Sequence, residues 1–169
     1  MLQRMSMSPI LQLLHNCEKR HFAVGEMILE QGKMDGQLCF LIEGTVEVLK
    51  DDVHVVRISE PAAAFGEMSV LLGSPHTASV RALKPSVFYV VENPRAFLES
   101  SPRVCLHVCE LIARRLDTMT KYLVDVQHQL KGEDHLGLVH GVLETLLHRH
   151  PTKRIRPSDS TIRHGQVSD

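Results

Sequence analysis

The sequence predicts an α+β chain, an antiparallel β-sandwich or roll with flanking helices that ends in one long C-terminal helix. Three observations carry this. Between Lys19 and Val91 the apolar residues come in short runs cut by turn residues. After Val91 the texture changes to longer amphipathic segments. From Cys105 to Leu130 the apolar positions then recur in strict alternating steps of four and three.

Near the start, Ile10, Leu11, Leu13 and Leu14 outline one face of a short helix. HFAV, MILEQ, LCFLI, TVEVLK, HVVRIS, ASVRAL and VFYVV follow as candidate strands. Gly25, Gly32 to Gly36, Gly44, Asp51-Asp52, Glu60-Pro61 and Lys84-Pro85 separate them. TVEVLK-DD-VHVVRI is the clearest hairpin. Many strands at short spacing favour an antiparallel sandwich or roll over a parallel sheet. Glu92-Asn93-Pro94 can cap a short helix, RAFLES, and Ser101-Pro102 opens the long one. Its seam of Cys105, Cys109, Ile112, Leu116, Met119, Leu123, Val126 and Leu130 reads as a parallel homodimer interface. The expected organisation is a β-roll with its N-terminal helix over 1–100, a dimerisation helix over 101–131, a short amphipathic helix over 132–150 and a disordered tail over 151–169.

Composition narrows the function classes. The 169 residues carry 19 Lys and Arg against 20 Asp and Glu, so no bulk electrostatic footprint for nucleic acid exists. No apolar run reaches 18 residues, so no transmembrane helix and no membrane role is expected. The first residues, MLQRMSMSPILQLLHNCEKRHF, show no signal-peptide core with a small-residue cleavage site. Four cysteines without a CxxC pair fit structural thiols and a cytoplasmic location. Among 11 histidines, His135, His140, His148 and His150 cluster late without a metal-ligand spacing, so no metal is expected. No nucleophile–base pattern stands out, and no enzyme is expected. Arg114-Arg115 reads as a solvated helix face.

The stretch FGEMSVLLGSPHTASVR, residues 65–81, carries the chemistry. A helical turn following a strand offers unpaired N–H groups to a phosphate. Gly66 permits close backbone approach, and Glu67 can accept from a ribose hydroxyl. Thr77 returns a hydroxyl, Thr77 and Ala78 return amides, and His76 is a potential cation. A plain loop linking two strands remains the competing reading.

This stretch resembles the phosphate-binding cassette of cyclic-nucleotide-binding domains, whose usual form is FGE, a few apolar residues, then PR[ST]A-x-V. ILEQGKMDGQLCFLIEGTVEVL, with Gly25, Gly32 and Gly44 placed as in that family, and IARRLDTMTKYL, similar to the long helix of the catabolite-activator (Crp–Fnr) branch, extend the resemblance to residues 8–131. It implies a β-roll and a cyclic-nucleotide site of Phe65, Gly66, Glu67, Met68, His76, Thr77 and Ala78. Glu67 would take the ribose 2′-hydroxyl. The Gly66, Glu67 and Ala78 amides with Thr77 would hold the cyclic phosphate. Counting from ARRL, Thr120 is the base contact, and Met119 belongs to the dimer seam with Cys109, Ile112, Leu116, Leu123, Val126 and Leu130. The departure is His76, where the family places Arg. Arginine is always charged and binds phosphate bidentately, whereas histidine is shorter and only partly protonated near neutral pH.

The resemblance implies a non-catalytic sensor of cAMP, or alternatively cGMP, that signals through its dimer helix to an unknown downstream protein. LGLVHGVLETLLHRH faintly resembles the first helix of a winged helix-turn-helix. The residues after it cannot supply a reading helix and wing, so DNA binding is not expected. The alternatives are a nucleotide-independent dimerisation module and a truncated Crp–Fnr-type transcription regulator.

Overall fold

The computed structural model describes residues 8–129 and 141–142. Leu130, the tail 151–169 and the 132–150 segment, apart from the helical Gly141 and Val142, lie outside the described residues. So do the four late histidines. The chain divides into two compact units, residues 1–116 and 117–169.

The first unit runs α1 (Pro9–Leu13), β1 (Glu18–Phe22), β2 (Met27–Leu29), β3 (Leu38–Glu43), β4 (Val46–Lys50), β5 (Val53–Ile58), β6 (Ala64–Phe65), α2 (Glu67–Leu72), β7 (Ser79–Ala82), β8 (Ser86–Val91), α3 (Pro94–Ser100) and the start of α4 (Pro102–Gln129). Two antiparallel four-stranded sheets form, in the orders β1-β8-β3-β6 and β2-β7-β4-β5. This is the α+β roll that the strand runs predict, with a long C-terminal helix.

The continuous apolar run of β3 has a simple cause: the strand is buried on both faces. Leu38 and Phe40 join α1, α3 and α4 in one cluster through Leu11, Leu14, Leu98, Val104 and Val108. Cys39 and Leu41 point the other way, into the layer between the sheets, with Ile28, Val46, Val80, Phe65 and Phe88. Period-two alternation thus places successive residues of one strand in two cores. Burying this apolar surface supplies the main stabilisation, at roughly 25 cal/mol per Å².

The β4–β5 hairpin turns on Asp51 and Asp52, both at positive φ (51° and 62°), as a two-residue turn matched to strand twist requires. Val55 is the extra residue of a bulge, between the pairs Val48↔Val56 and Leu49↔His54.

Several expectations shift. The first strand is EKRHF rather than HFAV. It is a sheet edge whose charged residues face solvent, so apolar runs do not reveal it. Of the N-terminal apolar residues, Leu11 and Leu14 are buried while Leu13 is exposed. Asn93 precedes α3 at φ 47° with no side-chain cap, and Pro94 at the first turn sets the start instead. Over its first turns α4 carries an apolar stripe wider than a seam. Ile112 packs, half-buried, against the domain's own core with Cys105 and Leu111, whereas Cys109 and Leu116 are exposed.

In the second unit the helix continues through Gln129. Met119 and Tyr122 are exposed there, and Lys121 pairs with Asp117 one turn back at 2.7 Å.

Candidate functional site

β6 delivers the chain to Gly66, which sits at φ 85° and opens α2. A Cβ there would lie 2.1 Å from the Gln37 carbonyl oxygen. Only glycine fits both the left-handed backbone and that approach. Phe65 is buried, edge-on to Phe88 with ring centroids 5.8 Å apart, and anchors the turn in the core. α2 closes on Gly73, and the Ser69 hydroxyl donates to the Ser74 carbonyl at 2.5 Å, which fixes the returning loop.

Glu67 is buried at 4% exposure. Its Oε1 accepts from Nη1 of Arg115 on α4. Nη2 of the same guanidinium donates to the Ala64 carbonyl at 2.8 Å. A buried carboxylate requires such a partner. Arg115, its side chain 44% exposed, is therefore a face residue with a fixed partner. It joins α4 to the first turn of the cassette. Higher on the helix, the His107 ring lies 2.9 Å from the Ala62 carbonyl, with Nε2 as donor. Ala62 itself holds a positive φ of 67°, unusual for a residue with a side chain.

His76 is also buried, its side chain 2% exposed, and Nε2 is 2.6 Å from Oδ1 of Asp35. Its backbone N–H donates to Lys33 and its carbonyl accepts from Gly32, so the residue is stitched to the 32–37 loop. Burial alone would raise the Asp35 carboxyl. The His76 hydrogen bond, the Gln37 N–H and the charges of His76 and Lys33 outweigh it and hold the carboxyl below its ordinary value. Two clefts, of about 310 and 220 Å³, flank Asp35, and neither is lined by Glu67, Thr77 or Ala78.

Thr77 is exposed and Ala78 half-buried, directly before β7. Nζ of Lys50 donates to the Thr77 carbonyl at 3.1 Å. Phe65, Gly66, Glu67, His76, Thr77 and Ala78 thus form one cassette around α2, with Met68 exposed on it. Thr120 belongs to the second unit, half-buried on α4. Sequence reasoning missed Asp35 and Arg115, which meet their partners across 41 and 48 residues. The acidic residue between two glycines in GKMDG and the paired arginines of ARRL were the available signals.

The site is thus a strand–glycine–helix turn of a β-roll that carries a buried carboxylate. Residues 19–99 match the family described as "Cyclic nucleotide-binding domain". A cAMP-dependent protein kinase regulatory subunit of Yarrowia lipolytica is 32% identical over 81 residues, covering 47% of this chain and 21% of the relative. A catabolite activator protein of Thermus thermophilus superposes with a TM-score of 0.57 at 20% identity, over 85% of this chain and 83% of that one. A transcriptional regulator of Thermotoga maritima gives 0.59 at 15% identity, over 70% and 98%. These two share this chain's fold. The chain spans about a fifth of the length of the Yarrowia relative.

Proposed function

We propose that the chain is a non-catalytic cyclic-nucleotide sensor whose ligand is cAMP, with cGMP the alternative, acting in the cytoplasm as a homodimer. The observation that carries this is the joint held by Glu67. Arg115 engages Oε1 of Glu67, and the ribose 2′-hydroxyl would donate to the same carboxylate. A ligand at the cassette and the helix α4 would then share one carboxylate. The Gly66, Glu67 and Ala78 amides and the Thr77 hydroxyl would hold the cyclic phosphate. The similarity to a cAMP-dependent kinase regulatory subunit supports the choice of nucleotide. Binding would bias α4, and with it a dimer seam of Cys109, Leu116, Met119, Leu123 and Val126, between two arrangements. The near-zero net charge argues against DNA as partner, and a downstream protein would receive the signal.

One observation favours a second reading. His76 is occupied by Asp35 and Glu67 by Arg115, so the cassette is internally satisfied without ligand. A nucleotide-independent dimerisation module would have this character.

Calorimetric titration with cAMP and then cGMP separates the two, run on the natural chain and on Glu67→Ala. Saturable binding that weakens at least ten-fold in Glu67→Ala supports the sensor. Unchanged affinity in that variant removes the assigned site. Absence of binding to a folded dimer establishes the second reading.

A further inference from the structure

The cassette faces a charge problem. A cyclic phosphate is an anion, and its binding is strongest where a cation stands close to the exocyclic oxygens. The residue at the cationic position, His76, is turned inward onto Asp35. Of the other cations at the cassette, Arg115 holds Glu67, Arg81 holds Glu47 at 2.5 Å, and Lys33 holds Glu30 at 2.7 Å. Each is neutralised by a carboxylate. Lys50 differs: among the described residues its hydrogen bond is to a neutral acceptor, the Thr77 carbonyl.

The sheet register places it further. β4 and β7 pair Val46↔Ala82, Glu47↔Arg81, Val48↔Val80 and Leu49↔Ser79. One more step sets Lys50 opposite Ala78. Directly paired residues share a sheet face, so Lys50 lies on the face of Val48 and Val80, and its Nζ reaches the Thr77 carbonyl. Lysine is a flexible stem with a compact charge. Rotation of its outer bonds can carry Nζ from the Thr77 carbonyl to an anion held on the Thr77–Ala78 amides.

We propose that Lys50 supplies the cation for the cyclic phosphate, in place of the arginine absent at position 76. The inference rests on the cyclic-nucleotide reading above and names a binding residue outside the cassette itself. The cation arrives from the neighbouring strand. Affinity then depends on an exposed ammonium, and salt screens it more than a buried guanidinium.

The test is cAMP affinity of the natural chain, Lys50→Met, Lys50→Arg and a Lys33→Met control, at low and high salt, with melting temperatures to confirm folding. We expect Lys50→Met to bind about ten-fold more weakly, with a flattened salt dependence. Lys50→Arg should stay within about two-fold and Lys33→Met should match the natural chain. Equal affinity in Lys50→Met overturns the proposal. So does an equal loss in Lys50→Met and Lys50→Arg, which would place the defect in packing at Thr77 rather than in charge. If the natural chain binds neither cAMP nor cGMP, the sensor reading falls and this proposal falls with it, an outcome visible before any variant is compared.

Discussion

Removing the His76 imidazole should destabilise the domain and loosen the 33–37 loop. The ring is 2% exposed and its Nε2 is bound to Asp35 at 2.6 Å. A hydrogen bond to a charged group contributes about 1.5–3 kcal/mol. The Asp35 side chain is 34% exposed, so water replaces part of the lost contact and the low end applies, about 1.5 kcal/mol. The void left by the ring adds about 1 kcal/mol. His76→Ala should therefore cost roughly 2.5 kcal/mol, and Asp35→Ala about 1.5 kcal/mol. The double variant should cost less than the sum, by a coupling of about 1 kcal/mol. Urea denaturation followed by circular dichroism measures all four proteins, with the slope checked to be constant. Strict additivity, within about 0.3 kcal/mol, would refute the argument that these two side chains hold the cassette to the loop.

Gly66→Ala should abolish ligand binding and destabilise by more than about 2 kcal/mol, because a backbone carbonyl stands 2.1 Å from the new Cβ; denaturation and titration together check it. Ala62→Gly should stabilise by up to about 1 kcal/mol, since it relieves a positive φ of 67°; a higher melting temperature is the readout. The carboxyl of Asp35 is held below its ordinary value of 3.8, so its contribution is complete above that pH and is lost as pH falls through the lower folded-state value. Acid titration of stability should be flatter below pH 3.8 in Asp35→Ala than in the natural chain. Burial pushes the Cys39 thiol up to about 12, and desolvation also raises Cys17 and Cys105. A thiol reagent at neutral pH should modify Cys39 only on unfolding, which peptide mapping would resolve.

The parts legible in the sequence are those whose cause is local. The β4–β5 hairpin follows from the Asp51-Asp52 turn between two β-branched runs. β3 and β8 follow from continuous apolar stretches, and the cassette from FGE and PHTA at their spacing. What stayed hidden depends on distant residues. β1 is a charged edge strand that exists because β8 pairs with it. β6 is only two residues long and exists by pairing with β3. His76 at the cassette's arginine position invited a reading as a phosphate donor. Its burial against Asp35 follows from how the 33–37 loop folds, which no periodicity encodes. Arg115 shows the same limit: an arginine on a charged helix face looks solvated until Glu67, buried on another element, claims it. The heptad rule likewise could not say that Ile112 rests on its own domain's core.

The two contacts that α4 makes ahead of the cassette set a mechanical tolerance. His107 holds the carbonyl of Ala62 and Arg115 the carbonyl of Ala64, eight positions apart on the helix but only two apart in the segment that they grip. At 1.5 Å rise per residue the two grips are about 12 Å apart along the helix axis. A tilt of about 5° pivoting at His107 would displace Arg115 by about 1 Å over that lever arm, enough to weaken its hydrogen bond sharply. The helix can therefore report a small change at residues 62–67 as a rotation.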